Sequence, residues 1–320
     1  MSTADADDDA GPLTRWVGRT IQSPKRLYKG LFYATTVFFL VTTLFPFYWL
    51  LVLSVSPSEK ILGAVFTFPP TPKGAFPWNF GAYLQVFREV PFHLYVFNSF
   101  VLAIVTTVVV LVVASLAGYV FGRLEFPGKA PLMLGILAIS YFPPAAFLLP
   151  LFDAFAGNLI YLPFTDVALF SPPRLLNTPG AMVLPFSALF LPLSIFILTT
   201  FYGQIPDGLE DAARVEGTTR LGALFRVIMP LSAPGVATAA VLTFISVYNE
   251  YFFSSLMTTS NAATNWSPLV GGILSYQTQY TTSYNLMAAA AVVGVLPVVV
   301  LVVVAQEKIV SGLTAGALKE

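Results

Sequence analysis

The chain has 320 residues, of which 56% are hydrophobic, 15% aromatic and only 10% charged, and its formal net charge is zero. Soluble domains average about 45–50% apolar and about 25% charged residues, so this composition excludes an ordinary soluble fold and specifies a polytopic membrane protein. A zero net charge offers no basic face to nucleic acid, and the absence of cysteine excludes disulfides and thiolate metal sites.

In chain order, residues 1–29 are polar, open with an acidic Asp5–Asp9 stretch and then turn basic, as expected of a solvated cytoplasmic tail. The apolar run from Leu31 to Leu53 has no small-residue cleavage site after it, so residues 30–55 read as a retained transmembrane helix rather than a signal peptide. Residues 56–96 form a long extracytoplasmic loop rich in proline, glycine and aromatics; its His93, the single histidine of the chain, reads as solvated. The core, residues 97–306, holds five further runs near the 20 or so apolar residues that a helix needs to cross a bilayer: 98–121, 131–155, 180–202, 235–257 and 285–305. The fold class is therefore all-α, with six transmembrane helices. Prolines at 143, 144 and 150 in the third span, and at 185 and 192 in the fourth, are tolerated in such helices as kinks. Residues 307–320 form a C-terminal tail.

Basic residues fix the orientation. With the N-terminus inside, the inner segments hold twelve of them (Arg15 through Lys319) and the outer loops hold four, Lys60, Lys73, Arg88 and Arg174. Both termini are expected in the cytoplasm, and so is the polar loop 203–234 between the fourth and fifth spans.

That loop stands out in an otherwise apolar chain. Within it, Glu210, Asp211, Arg214, Glu216, Arg220 and Arg226 are charged. Pro206 and Asp207 suit a helix start, Gly217 a helix stop, and Thr218 or Thr219 can cap a second helix. That second helix carries Leu221, Leu224, Phe225 and Ile228 as an apolar stripe, and Pro230 and Pro234 end it. The pattern predicts helix, glycine bend, helix. Acidic residues beside the small Ala212 and Ala213 suit docking in a groove of a basic partner better than lying on anionic lipid.

Two other features need weighing. "GRLEFPGKAP" from Gly122 places five residues between its glycines and Ala130 after the lysine, so it is not a phosphate loop, and no cofactor is expected. In the fifth span, Asn249 and Glu250 are polar at a depth where charge is costly, and Tyr248 and Tyr251 flank them. These four are candidate pathway-lining residues; an interfacial aromatic belt and a solvated or paired Glu250 are the alternatives. Asn98 and Asp153, near span ends, are weaker candidates.

"DAARVEGTTRLGALFRVIMP" from Asp211 resembles the EAA loop of the membrane-spanning subunits of ABC importers, in which Glu-Ala-Ala is followed by three residues, glycine, nine residues and Ile-x-Leu-Pro. Asp211-Ala212-Ala213, Gly217, Val227, Met229 and Pro230 occupy those positions, with Glu210 beside the shortened carboxylate. "FNSFVLAIVTT" from Phe97, "GYVFGRLEFPGK" from Gly118, "LLNT" from Leu175, "YNEYF" from Tyr248 and "SGLTAGALK" from Ser311 are similar to the carbohydrate-importer branch, in particular its maltose-type second permease. The resemblance covers roughly residues 31–319.

It implies a type I ABC importer permease fold in a prokaryotic cell membrane. A second permease subunit would complete a heterodimeric pathway, two ATP-binding subunits would bind below, and an extracytoplasmic sugar-binding protein would deliver a carbohydrate. The chain itself would be non-catalytic, with ATP hydrolysis on a separate subunit. Glu210, Asp211, Ala212, Ala213, Gly217 and Pro230 would then belong to the coupling helix that the ATPase grips. A different class of function, a secondary ion-coupled carrier using Glu250 as the ion site, would show paired repeats and several intramembrane charges. Neither is evident here.

Overall fold

The computed structural model describes residues 24–57, 78–162 and 164–315. The expectations for residues 1–23, for residues 58–77 of the long loop and for residues 316–320 lie outside these; the described remainder of the loop is largely helical, and His93 lies in the first turn of a long helix. The helices in chain order are α1 (Pro24–Ser54), α2 (Ala82–Glu89), α3 (Phe92–Arg123), α4 (Lys129–Ser140), α5 (Leu148–Phe155), α6 (Gly180–Tyr202), α7 (Asp207–Val215), α8 (Arg220–Ala223), α9 (Met229–Leu231), α10 (Ala233–Tyr248), α11 (Ser254–Met257), α12 (Leu269–Leu274) and α13 (Tyr284–Ala315). A two-stranded antiparallel hairpin (Ile160–Tyr161 with Ala168–Phe170) follows α5.

Among the described residues, four helical segments are long and apolar enough to cross a membrane: Tyr28–Ser54, Phe92–Arg123, Gly180–Tyr202 and Tyr284–Gln306. Two bent pairs raise this to as many as six. The expected third span is broken into α4 and the segment Pro144–Phe155, at an angle of 87°. The cause is local. Pro143 and Pro144 lack N–H donors, and a proline ring clashes with the carbonyl four residues earlier. Pro46, Pro185, Pro192 and Pro297, by contrast, sit inside unbroken helices. The expected fifth span is also shorter than its apolar run: α10 stops at Tyr248, and Arg220–Leu231 meets it at 85°.

Helix α3 is the hub. Its buried residues recur every three or four positions, among them Leu102, Ala103, Thr106, Val110 and Ala114, and this stripe packs on α6 and α10. At one end α3 and α6 approach unusually closely. A Cβ on Gly118 would lie 2.9 Å from the Leu198 Cβ, and one on Gly122 would lie 2.9 Å from the Thr199 carbonyl oxygen. Two glycines four apart let membrane helices meet backbone to backbone, where dispersion contacts drive association in the absence of a hydrophobic force. Polar pairs add to this packing. The Tyr202 hydroxyl donates to Ser115 Oγ at 3.2 Å, and Ser194 and Thr243 share a hydrogen bond of 3.1 Å.

At the other end of α3, side chains secure the segment after α10. Asn98 Nδ2 donates to the carbonyls of Ala263 (2.8 Å) and Ser267 (3.0 Å), and Ser99 Oγ accepts from Leu269 N. Asn98 is thus a structural fastener for the Ala263–Leu269 segment. Helix α1 packs against α13 and exposes most of its apolar surface, as a lipid-facing helix does.

Candidate functional site

The polar loop forms an elbow of two short helices set against the end of α3 where the glycines lie. Helix α7 starts at Asp207, directly after Pro206. Asp207 and Glu210 in its first turn lie at the positive end of its dipole. It ends in a Schellman motif: Gly217 N donates to the Arg214 carbonyl and Thr218 N to the Ala213 carbonyl, both at 3.0 Å. This motif requires a left-handed residue, and Gly217 has φ +90°. Of the two candidate caps, Thr219 does the work, its Oγ1 accepting from Gly222 N at 3.1 Å.

The expected stripe on the second helix is split. Leu224 and Ile228 are fully buried, whereas Leu221 and Phe225 are exposed. The backbone widens into a π turn over Leu224–Ile228, which rotates successive side chains away from the regular helical register. Pro230 is exposed and lies within α9 rather than terminating it; the break falls at Ser232.

The adjacent carboxylates of the elbow have separate environments. Glu210 is buried, at 7% exposure. Its Oε1 accepts from the Tyr119 hydroxyl, and its Oε2 accepts from Arg123 Nε at 3.0 Å. Arg123, whose side chain is 3% exposed, also donates to the Ile205 carbonyl and pairs with Asp207 Oδ1 at 2.9 Å. One guanidinium thus ties three points of the loop to the last turn of α3. Burial by itself would raise the Glu210 pKa, but the hydrogen bonds from Tyr119 and Arg123 and the charges of Arg123 and Arg220 outweigh it, and the pKa lies below the usual carboxylate value.

Asp211 points the other way. It is exposed and, among the described residues, pairs only with Arg214 of its own helix, at 3.5 Å. Ala212 is exposed and Ala213 half-buried, and Leu209, Val215, Leu221 and Phe225 complete an outward face that is part charged and part apolar. Glu210, grouped with Asp211 on the sequence, is therefore committed inside the chain and leaves Asp211 to face outward.

The other candidates lie at the far end of α10, whose 16 residues span ~24 Å at 1.5 Å per residue. Tyr248, expected to line a pathway, is instead fully buried; its hydroxyl donates to the Gly294 carbonyl at 2.8 Å and its ring stacks on Phe244. Asn249 is exposed and donates to the Ile245 carbonyl. Glu250 accepts from Phe253 N at 2.9 Å and from Ser254 Oγ at 3.2 Å, capping the start of α11. Tyr251 donates to Asn261 Oδ1 at 3.2 Å. An apolar cleft of about 380 Å³ separates α6 from the broken third span, lined by Ile139, Phe142, Phe147, Leu151 and Leu184, with Ser140 supplying a hydroxyl.

Tyr119 and Arg123 were not singled out on the sequence as part of the elbow. Their signal was present: they sit four apart on one helical face at the end of a span, in the quoted "GYVFGR". What was missing was the partner, 87 residues further on.

Comparison with known proteins fits this arrangement. Residues 114–314 match the family model of the binding-protein-dependent transport system inner membrane component. The chain is 37% identical to the sulfoquinovosyl glycerol transport system permease protein SmoH of Agrobacterium fabrum, over 91% of this chain and 94% of that one. It is 32% identical to the trehalose/maltose transport system permease protein MalG of Thermococcus litoralis, over 87% and 92%. A chain of a bacterial ABC transporter that imports the acidic polysaccharide alginate superposes with a TM-score of 0.66 at 20% identity, covering 89% of this chain and 97% of that chain. With an EAA-like elbow on an apolar helical bundle, this chain belongs to the family of binding-protein-dependent ABC transport system inner membrane components.

Proposed function

We propose that the chain is one of two permease subunits of an ATP-driven sugar importer and that its elbow is the coupling element gripped by a separate ATPase. The observation that carries this reading is the two-sided elbow: Glu210 fastens α7 to α3, while Asp211 and the exposed Val215 face outward. Related permeases are named for the transport of sugars and sugar conjugates, which supports a carbohydrate substrate. In this reading the elbow and both termini face the cytoplasm. A second permease completes the pathway, two ATP-binding subunits dock below, and an extracytoplasmic binding protein delivers the sugar. The chain has no catalytic role of its own.

Glu250 speaks against a secondary carrier. Its carboxylate caps α11 through two hydrogen bonds and so stabilises a turn. The remaining pathway candidates, Asn249 and Tyr251, stay proposals for sugar contact, and Tyr248 serves the core.

Reconstitution of the full complex in liposomes tests this. Uptake should require internal ATP and the binding protein, and Asp211→Ala should weaken copurification of the ATPase without unfolding the permease. Uptake by this chain in ATP-free liposomes, driven by an ion gradient alone, would overturn the reading.

A further inference from the structure

Resting on the coupling reading above, we propose that Arg123, together with Tyr119, is a positioning joint that passes motion of the elbow into the α3–α6 pair, and that the junction leading to α10 is the compliant side. Chain connectivity suggests the reverse, since the elbow leads covalently into α10. The side chains argue otherwise.

On the α3 side the attachment is stiff. Arg123 holds the Ile205 carbonyl, Asp207 and Glu210 at once, and Tyr119 one turn earlier donates to the same Glu210. These groups are buried at Arg123 and Glu210, so separating them strands a charge away from water. Leu224 and Ile228 of the elbow belong to the same apolar cluster as Tyr119 and Phe121 of α3 and Leu198 and Tyr202 of α6. Gly118 and Gly122 bracket Tyr119 and lock α3 onto α6 over the same turns. Elbow, α3 end and α6 end therefore form one packed body; α10 reaches the same cluster through the apolar side chains of Val236 and Ala239, with no ion pair to the elbow among the described residues.

On the α10 side the backbone is interrupted. A π turn, Pro230 and the non-helical Ser232 (φ −94°, ψ 19°) precede an 85° bend. The π turn sends the Met229 N–H back five residues to the Leu224 carbonyl, and Pro230 and Pro234 have no N–H to give, although Ser232 between them keeps its bonds to the Ile228 carbonyl (2.9 Å) and from Val236 N (3.0 Å). Interruptions of this kind absorb rotation in hinge motions, so a stroke delivered at Asp211 and Val215 moves α3 and α6 as a unit and flexes at the bend between Pro230 and Pro234.

The test uses the whole complex, with its ATPase and binding protein, in liposomes. Two quantities are read: ATPase retained on purification, and sugar imported per ATP hydrolysed. Arg123→Ala should retain the ATPase while the import ratio falls about tenfold, a loss of coupling free energy rather than of assembly. Tyr119→Phe, which keeps the ring packing, should lower the ratio severalfold. The double variant Arg123→Ala/Glu210→Ala removes the stranded charge, so its expression should recover while its ratio stays no lower than that of Arg123→Ala, because the two residues act as a unit. A wild-type ratio in Arg123→Ala and Tyr119→Phe overturns the joint, as does loss of the ATPase from them, which would make the clamp a builder of the docking face. Failure of the underlying coupling reading is separately visible: a thiol probe at Val215 (V215C) in the otherwise unaltered complex would then remain unshielded by the ATPase.

Discussion

Alanine placed at two glycines should have opposite effects, and the contrast tests the close packing of α3 on α6. At Gly122 an added Cβ would meet the Thr199 carbonyl oxygen at 2.9 Å and the Gly203 nitrogen at 3.2 Å. These are backbone atoms, which no rotamer change can move. Restoring ordinary contact, from 3.4 Å upward, requires the helices to part by about 0.5 Å. The 3.2 Å bond from Tyr202 to Ser115 bridges the same two helices, and that displacement would stretch it past useful geometry. Overpacking costs about 1–3 kcal/mol, and an interhelical hydrogen bond in a membrane protein adds about 0.6 kcal/mol. Gly122→Ala should therefore lower the midpoint of thermal unfolding in detergent clearly. Gly135→Ala, in the exposed middle of α4 with nothing within 4 Å of the added atom, should be neutral or raise stability by about 0.5–1 kcal/mol. Melting curves of the two variants, read on the same preparation by loss of monodisperse protein, decide the matter. Equal midpoints would refute the claim that α3 and α6 meet backbone to backbone.

Other consequences can be measured alongside. Gly217 has φ +90° but open space around its Cβ position, so Gly217→Val should cost about 1–3 kcal/mol through backbone strain alone and reduce sugar-stimulated hydrolysis, while Gly217→Asn should retain most of it. Glu210 has a folded-state pKa below its ordinary value of 4.5, so its ion pair contributes full stability above that value and loses it as pH falls through the folded one. Unfolding followed from pH 7 down to about pH 3 should show an acid-destabilised limb in the wild type that flattens in Glu210→Gln. Glu250→Ala should cost about 0.5–2 kcal/mol by uncapping α11 yet leave ATP-driven uptake measurable; complete loss of uptake at normal protein levels would return Glu250 to the pathway.

Much of this architecture was legible in one dimension. Long apolar runs gave both ends of α6 and the start of α13 closely, because a helix in lipid must be apolar along its span whatever it packs against, whereas α3 begins six residues before its run and α13 continues to Ala315, into the expected tail. The elbow was legible because Pro206, Gly217 and Thr219 act through local backbone geometry that depends on few distant contacts. The broken third span was visible only as a run of prolines. Pro185 and Pro192 leave α6 continuous whereas Pro143 and Pro144 end α4, and hydropathy cannot tell these cases apart. The division of labour between Glu210 and Asp211 was not legible at all. Two neighbouring carboxylates look equivalent until one finds a buried guanidinium.

The sequence by itself determined that this chain is a helical membrane protein with a charged elbow, since solvation by lipid and the stereochemistry of proline and glycine act residue by residue. Only the tertiary structure decided which side of the elbow is fastened and which is presented. That choice turns on Arg123 and Tyr119 arriving from a span 84 to 91 residues away, and a long-range ion pair leaves no periodic trace in sequence. It also buried Tyr248, because its packing against Gly294 of α13 and Phe100 of α3 depends on how three helices meet and not on the polarity of the residue.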